Sequence, residues 1–149
     1  MVRSPESCRE RFKFPITSDD DAIAARYAFA LKLIQEAGDK ARALFENRKP
    51  GFELKGHQDY LTEADGQLER LIGERIAAAF PNDTMIGEEG GGFASDSVWV
   101  VDPLDGTSNF AAGRDRFAMI VCLVHNGETV AGWILDVPNG RMAIARRGK

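Results

Sequence analysis

Cysteine and histidine are sparse in this sequence, and acidic residues outnumber basic ones. Its 149 residues include two cysteines and two histidines, and the net charge is −4. Cys8 and Cys122 stand alone, without the Cys-x-x-Cys spacing of a zinc or redox site, so two reduced thiols are expected. The net negative charge gives no indication of the basic patches with which proteins bind nucleic acid or anionic membranes. We therefore expect neither as a partner.

Long hydrophobic runs are also missing. No apolar stretch approaches the ~20 residues that cross a bilayer. The first residues mix acidic and basic side chains and lack the hydrophobic segment of a secretory signal. These absences predict a cytoplasmic protein. The length suits one domain, and a composition that is 44% hydrophobic can supply a core.

Helix-forming residues come early in the chain. Residues 1–18 show no sustained periodicity and are predicted to form an N-terminal arm. Ser18 and the aspartates from Asp19 to Asp21 suit the start of a helix, because acidic groups are favourable at the positive end of its dipole. Before Lys49, apolar residues recur at spacings of three and four: Ile23, Tyr27, Leu31, Ile34, Ala37, Ala41, Leu44 and Phe45.

The next segment favours a short strand and then a second helix. The strand is predicted over Phe52–Gln58. Thr62 and Asp65 have the spacing of a capping box, which predicts a helix start there. Pro81 stops this helix. Its buried side is predicted to consist of Leu68, Leu71, Ile72, Ile76 and Phe80.

Predicted strands dominate the rest of the chain. Thr84–Ile86 and Val98–Val101 are short, and the second is apolar throughout and expected to be buried on both faces. Phe117–His125, Glu128–Asp136 and Arg141–Arg147 indicate a meander whose first turn is an Asn-Gly pair, favoured in type I′ hairpins. Because the helices precede a block of strands, the pattern indicates an α+β fold with a mixed or largely antiparallel sheet.

The hexapeptide from Asp102 to Thr107 carries the clearest chemical signal. An apolar strand runs into Asp102, and a turn at Pro103, which fixes φ, could aim Asp102 and Asp105 at one point. Gly106 permits close backbone approach, and free N–H groups there suit a phosphate. Oxygen donors without a neighbouring His or Cys favour Mg²⁺ or Mn²⁺ over Zn²⁺. A ligand-free Asp-rich turn is the alternative, because Asp, Pro and Gly are common turn residues.

Two other segments gain meaning only in combination with the hexapeptide. Gly87-Glu88-Glu89 crowds two carboxylates beside three glycines, and by itself it is more typical of a solvated loop. Asp65 is explained by its predicted capping box, although a helix start is also a natural anion site. Neither segment indicates a function alone.

Taken together, the three segments closely resemble the inositol monophosphatase family of lithium-sensitive, magnesium-dependent phosphatases. The family's motif Asp-Pro-hydrophobic-Asp-Gly-Thr-x-Asn-Phe matches Asp102–Phe110. Its Gly-Glu-Glu segment matches Gly87–Glu89, and its Thr-x-x-Asp segment matches Thr62–Asp65, after Lys55. The order and approximate spacing agree over residues 20–149.

The resemblance also implies roles for individual residues. Two or three Mg²⁺ ions, or Mn²⁺ in their place, would be bound by four residues: Glu88, Asp102, Leu104 through its carbonyl, and Asp105. Asp65 and Thr107 would orient and deprotonate the attacking water, and the amides of Gly106 and Thr107 would receive the phosphate. Lys55 and Glu89 would be accessory groups.

The implied fold is the layered αβαβα sandwich of the inositol monophosphatase and fructose-bisphosphatase type. Residues 19–149 would form its N-terminal α+β domain. The family's second half, with a Trp-Asp segment that completes the second metal site, is expected to be absent. We therefore expect weak binding of the second metal, low or no activity of these 149 residues, and an exposed edge on the last strand.

The implied activity is hydrolysis of a small phosphate ester, such as inositol monophosphate, by two-metal activation of water. Histidinol phosphate, a nucleotide 3′-phosphate and fructose bisphosphate are alternative substrates for the same chemistry. A truncated, non-catalytic remnant that binds metal or a partner is the alternative from another class. A homodimer is expected, because relatives are commonly dimers.

Overall fold

Helices and strands account for most of the chain that can be described. The computed structural model describes residues 18–48, 54–87 and 95–149. The elements in chain order are α1 (Ser18–Glu46), α2 (Leu54–Ala79), β1 (Thr84–Ile86), β2 (Ser97–Asp105), α3 (Thr107–Ala111), β3 (Ala118–His125), β4 (Glu128–Asp136) and β5 (Arg141–Arg146). The predicted α+β class is confirmed. The arm predicted over 1–18 lies, up to residue 17, outside the described residues.

The strands form one mixed sheet in the order β1-β2-β3-β4-β5. β1 and β2 are parallel, and every later neighbour is antiparallel. The β3–β4 hairpin turns at Asn126 and Gly127, whose φ angles are 50° and 79°. Positive φ at both positions is what a type I′ turn requires. The predicted meander is therefore confirmed, with strand bounds that agree within a residue.

The two long helices pack against each other and against one face of the sheet. Trp99 and Trp133, 0% and 1% exposed, stack at the centre of this interface with ring centroids 6.5 Å apart. The residues predicted to be buried on both helices belong to this hydrophobic core or pack against it. Fully burying one large apolar side chain contributes about 1.5–3 kcal/mol, so this interface contributes strongly to stability. Within the described ranges, neither helix carries an apolar stretch sufficient for a membrane span.

A buried ion pair joins α1 to the start of the sheet. Arg26 donates through Nε and Nη2 to the two carboxylate oxygens of Asp83, at 2.8 and 2.7 Å. Trp99 Nε1 also donates to Asp83, at 2.9 Å. The Asp83 side chain is only 3% exposed. Because every polar atom of the carboxylate has a partner, this cluster fixes the position of α1 relative to β2.

Two predictions at the start of α2 are wrong. The strand predicted over Phe52–Gln58 is helical from Leu54 onward, and residues 49–53 lie outside the described part. Leu, Lys and Gln favour a helix, and the segment from Leu54 to Gln58 contains no β-branched residue to favour a strand. Thr62 and Asp65 consequently lie inside α2 and do not form a capping box at its start.

The face of the sheet opposite the long helices is only partly covered in the described structure. Val98, Trp99 and Val101 are at most 2% exposed, but Val100 is 38% exposed. Val100 lies on this face, as does Ile134, which is 50% exposed. The prediction that β2 is buried on both faces is therefore wrong at Val100. Apolar residues at this point indicate a surface that another layer could cover.

Candidate functional site

The end of β2 carries the two aspartates of the hexapeptide, and a bulge sets their direction. Asp102 pairs with Ile120 and Asp105 pairs with Ala118, so β2 advances by three residues while β3 advances by two. Ile120 and Ala118 are two residues apart and point to the same face, and their partners therefore share that face. The strand does not end in a turn at Pro103 as predicted. Proline is accommodated in the bulge, where regular pairing is interrupted.

Leu104 anchors the bulge in the core. Its side chain is 0% exposed, and its amide donates to Oδ1 of Asp102 at 3.2 Å. Asp102 is half-buried and Asp105 is exposed. The bulge thus combines a buried leucine with two carboxylates on the far side of the sheet from the long helices.

Gly106 turns the chain from β2 into the short helix α3. Its φ of 89° and ψ of 39° are left-handed, a conformation that glycine adopts readily. A Cβ at this position would lie 2.8 Å from the carbonyl oxygen of Arg116 and 3.2 Å from Cα of Phe117. Both the backbone angle and the close approach of the next segment therefore require glycine here.

The first turn of α3 places two amides beside Asp105. The amides of Asn109 and Phe110 donate to the Gly106 carbonyl at 3.0 and 3.1 Å. The Gly106 and Thr107 amides precede these bonds, as the first amides of any helix do, and so remain available to an anion. Asn109 Nδ2 donates to the Arg116 carbonyl at 2.8 Å and ties α3 to the segment before β3.

A surface cleft of about 460 Å³ opens beside Asp105 and Gly106. Small-ligand pockets commonly measure about 300–1,000 Å³, so a compact phosphate ester would fit. The remaining wall is mostly polar and includes Asp115, Arg116 and Asn139. Such a wall suits a hydroxylated ligand better than an apolar one.

Asp65 lies on α2, an element that contacts both β2 and α3. Its Oδ1 atom is shielded from solvent. Glu69 lies one turn further along α2, and a Cβ at Gly87 would lie 3.0 Å from its Cδ. Glu69 was not among the predicted site residues, although its spacing of four from Asp65 places both on one helix face. Glu69 thus lies against the last described residue before Glu88 and Glu89.

Part of the predicted metal set lies outside the described residues. Glu88 and Glu89 are not described, and of Lys55 only the backbone is. In the described part of the chain, no three Asp, Glu, His or Cys side chains are close enough to hold a metal ion. Asp102, Asp105 and a backbone carbonyl are nevertheless all oxygen donors, which suit Mg²⁺. The residues present fit a magnesium site that needs further donors.

Comparisons with known proteins agree on one family. The model of the inositol monophosphatase family matches residues 23–149. An inositol-1-monophosphatase of Rhizobium meliloti is 40% identical over 98 residues, which are 64% of this chain and 37% of that protein. The Nus factor SuhB of Vibrio cholerae is 32% identical over 123 residues, which are 80% of this chain and 46% of that protein.

A solved structure shares the fold. Inositol monophosphatase II of Staphylococcus aureus superposes with a TM-score of 0.73 at 36% identity, and the match covers 84% of this chain and 47% of that one. The fold expected from the resemblance is confirmed for the described residues. The chain spans about half the length, or less, of each of these relatives.

Proposed function

Because the chain belongs to the inositol monophosphatase family, we propose that it supplies the metal- and phosphate-binding part of a magnesium-dependent phosphomonoesterase. The proposed substrate is a small phosphate ester of the inositol monophosphate type. The bulge that turns Asp102 and Asp105 to one face of the sheet carries this proposal. Two carboxylates next to free amides suit a site at which cations and a phosphate bind together.

Each residue has a proposed role. The metal ions are assigned to four residues: Glu88, Asp102, Leu104 through its carbonyl, and Asp105. Two bound Mg²⁺ ions, with a third or with Mn²⁺ as variants, would acidify the attacking water and stabilise the leaving alkoxide. Asp65 and Thr107 orient that water and take its proton, and the amides of Gly106 and Thr107 donate to phosphate oxygens. Lys55 and Glu89 are accessory groups.

We propose that residues 1–18 form an arm and that residues 19–149 form the N-terminal α+β domain of the enzyme. Full activity would then need the family's second half, whose Trp-Asp segment supplies the last carboxylate of the second metal site. The exposed apolar residues Val100 and Ile134 support this division, since a further layer would bury them. A homodimer and inhibition by Li⁺ are proposed on the resemblance alone.

A second candidate function is binding of a partner or a metal without catalysis. The Vibrio cholerae relative is named a Nus factor, a name that states no enzymatic activity. A phosphate-release screen separates the two candidates. It would compare inositol monophosphate with histidinol phosphate, a nucleotide 3′-phosphate and fructose bisphosphate, with and without Mg²⁺ and Li⁺.

Asp102→Asn tests the assigned metal centre. In a chain that includes any downstream sequence, we expect magnesium-dependent phosphate release to fall by about 100-fold or more, because the charge of a proposed metal ligand is lost. Asp96→Asn is the matched control, since Asp96 is exposed and precedes the opposite end of β2. Binding of Mn²⁺, followed by electron paramagnetic resonance, should weaken in the first variant alone. Turnover of Asp102→Asn within a fewfold of the unchanged chain would contradict the assignment.

A further inference from the structure

We propose that Arg48 is a positioning residue for the phosphate-binding turn at Gly106 and Thr107. The inference rests on the proposed function, which assigns the phosphate to that turn. Arg48 lies just beyond the end of α1 and is 62 residues from Phe110 in sequence. Its Nη1 donates to the Phe110 carbonyl near the end of α3, at 3.3 Å.

The Arg48 guanidinium is enclosed on two further sides. Its Cζ lies 4.6 Å from the ring centroid of Phe45, within cation–π distance. Gly113 lies against it as well, and a Cβ there would come within 2.7 Å of Cζ. Phe45 also packs against Phe110 and Phe117, with ring centroids 5.5 and 4.9 Å apart. The side chain is therefore held in one place and joins α1 to α3.

α3 depends on such contacts because it is short. A helix of five residues has few hydrogen bonds of its own and is not stable in isolation. Asn109 holds it through the Arg116 carbonyl, and Arg48 holds its far end through Phe110. A positive group at the carbonyl end of a helix is favourable. Since α3 starts at Thr107, a shift at Phe110 displaces the proposed phosphate donors within the same turn.

A purely structural role for Arg48 would lower stability without changing ligand affinity. Arg75 offers a matched control, because it also joins two elements through a carboxylate, at 2.8 Å from Glu36. That pair is solvent-exposed, with side chains 48% and 46% exposed, and it connects α1 with α2. The control residue is also an arginine, which stays charged in proteins.

Amide hydrogen exchange gives the first measurement. The amides of Asn109 and Phe110 donate to the Gly106 carbonyl and so report on the first turn of α3. Their exchange should become about tenfold faster in Arg48→Gln relative to core amides of the sheet, since one charge-assisted hydrogen bond is lost. Arg48→Lys should restore part of the protection, and Arg75→Gln should leave it unchanged.

Binding of inorganic phosphate in the presence of Mg²⁺ is the second measurement. Measured in a chain that includes any downstream sequence, the Kd for phosphate of Arg48→Gln should rise about fivefold or more, while its Kd for Mg²⁺ alone changes by less than about twofold. Arg48→Lys should bind phosphate more tightly than Arg48→Gln. Arg75→Gln should match the unchanged chain.

The possible failures are distinguishable. If the unchanged chain binds phosphate and Arg48→Gln binds it equally well, the inference is overturned whatever the exchange rates are. Unchanged exchange at Asn109 and Phe110 in Arg48→Gln overturns it too. If the unchanged chain binds no phosphate in Mg²⁺, the proposed function fails, and this inference fails with it.

Discussion

Substituting Gly106 by alanine tests the geometry of the phosphate turn through stability. The left-handed angles of Gly106 cost a residue with a Cβ about 1–2 kcal/mol. The added carbon would also lie 2.8 Å from the carbonyl oxygen of Arg116 and 3.2 Å from Cα of Phe117. These are backbone atoms that cannot rotate away, and overpacking of this kind adds about 1–3 kcal/mol. We expect Gly106→Ala to lower the free energy of unfolding by about 2–5 kcal/mol in total.

Gly127→Ala is the control that separates the two contributions. Gly127 has a φ of 79°, but no heavy atom lies within 4 Å of an added Cβ. Only the conformational cost of about 1–2 kcal/mol should appear there. Urea unfolding followed by circular dichroism measures both variants, and their difference should be about 1–3 kcal/mol. Equal losses would refute the claim that the segment before β3 presses against Gly106.

Asp83→Ala leaves Arg26 without its partner in a cluster where the two side chains are 3% and 16% exposed. It should lower the free energy of unfolding by about 3–5 kcal/mol. Thermal unfolding should show a much smaller loss of unfolding free energy for Glu36→Ala, which removes one partner of the exposed Arg75–Glu36 pair. Similar losses of unfolding free energy in Asp83→Ala and Glu36→Ala would contradict this prediction. Burial raises the pKa of the Cys122 thiol, and the thiolate is the reactive form. In a Cys8→Ser chain, the alkylation rate should therefore keep rising above the pH at which an ordinary thiol levels off, and a plateau at that pH would contradict it.

Features that repeat along the chain were predictable from sequence. The three-and-four spacing of apolar residues predicts α1 up to Lys49, and the helix runs over Ser18–Glu46. The pair Asn126-Gly127 predicts a tight hairpin and is found at one. Both patterns depend on local backbone geometry and on which side of the segment is buried. All of this information lies within a single segment of the sequence.

Features that depend on distant partners were not predictable. The Thr62–Asp65 spacing suits a helix start, yet it lies inside α2, because the same residues are compatible with a helix interior. The β2 bulge depends on pairing with β3 and appears in the hexapeptide only as a proline. The contacts of Arg48 with Phe110, and of Glu69 with Gly87, join segments whose local sequences predict nothing about each other.

The bulge also means that the direction of Asp105 is decided by strand pairing and not by its own position in the sequence. Residues three apart on a regular strand point to opposite faces, so continuous pairing with β3 would turn Asp105 toward the long helices. A shift of one residue in the pairing of β2 with β3 would also move Gly106 and the start of α3. Pro103 has no N–H with which to extend a regular ladder. The missing N–H of Pro103 therefore favours the bulge, and the bulge sets the direction of the Asp105 carboxylate two residues later.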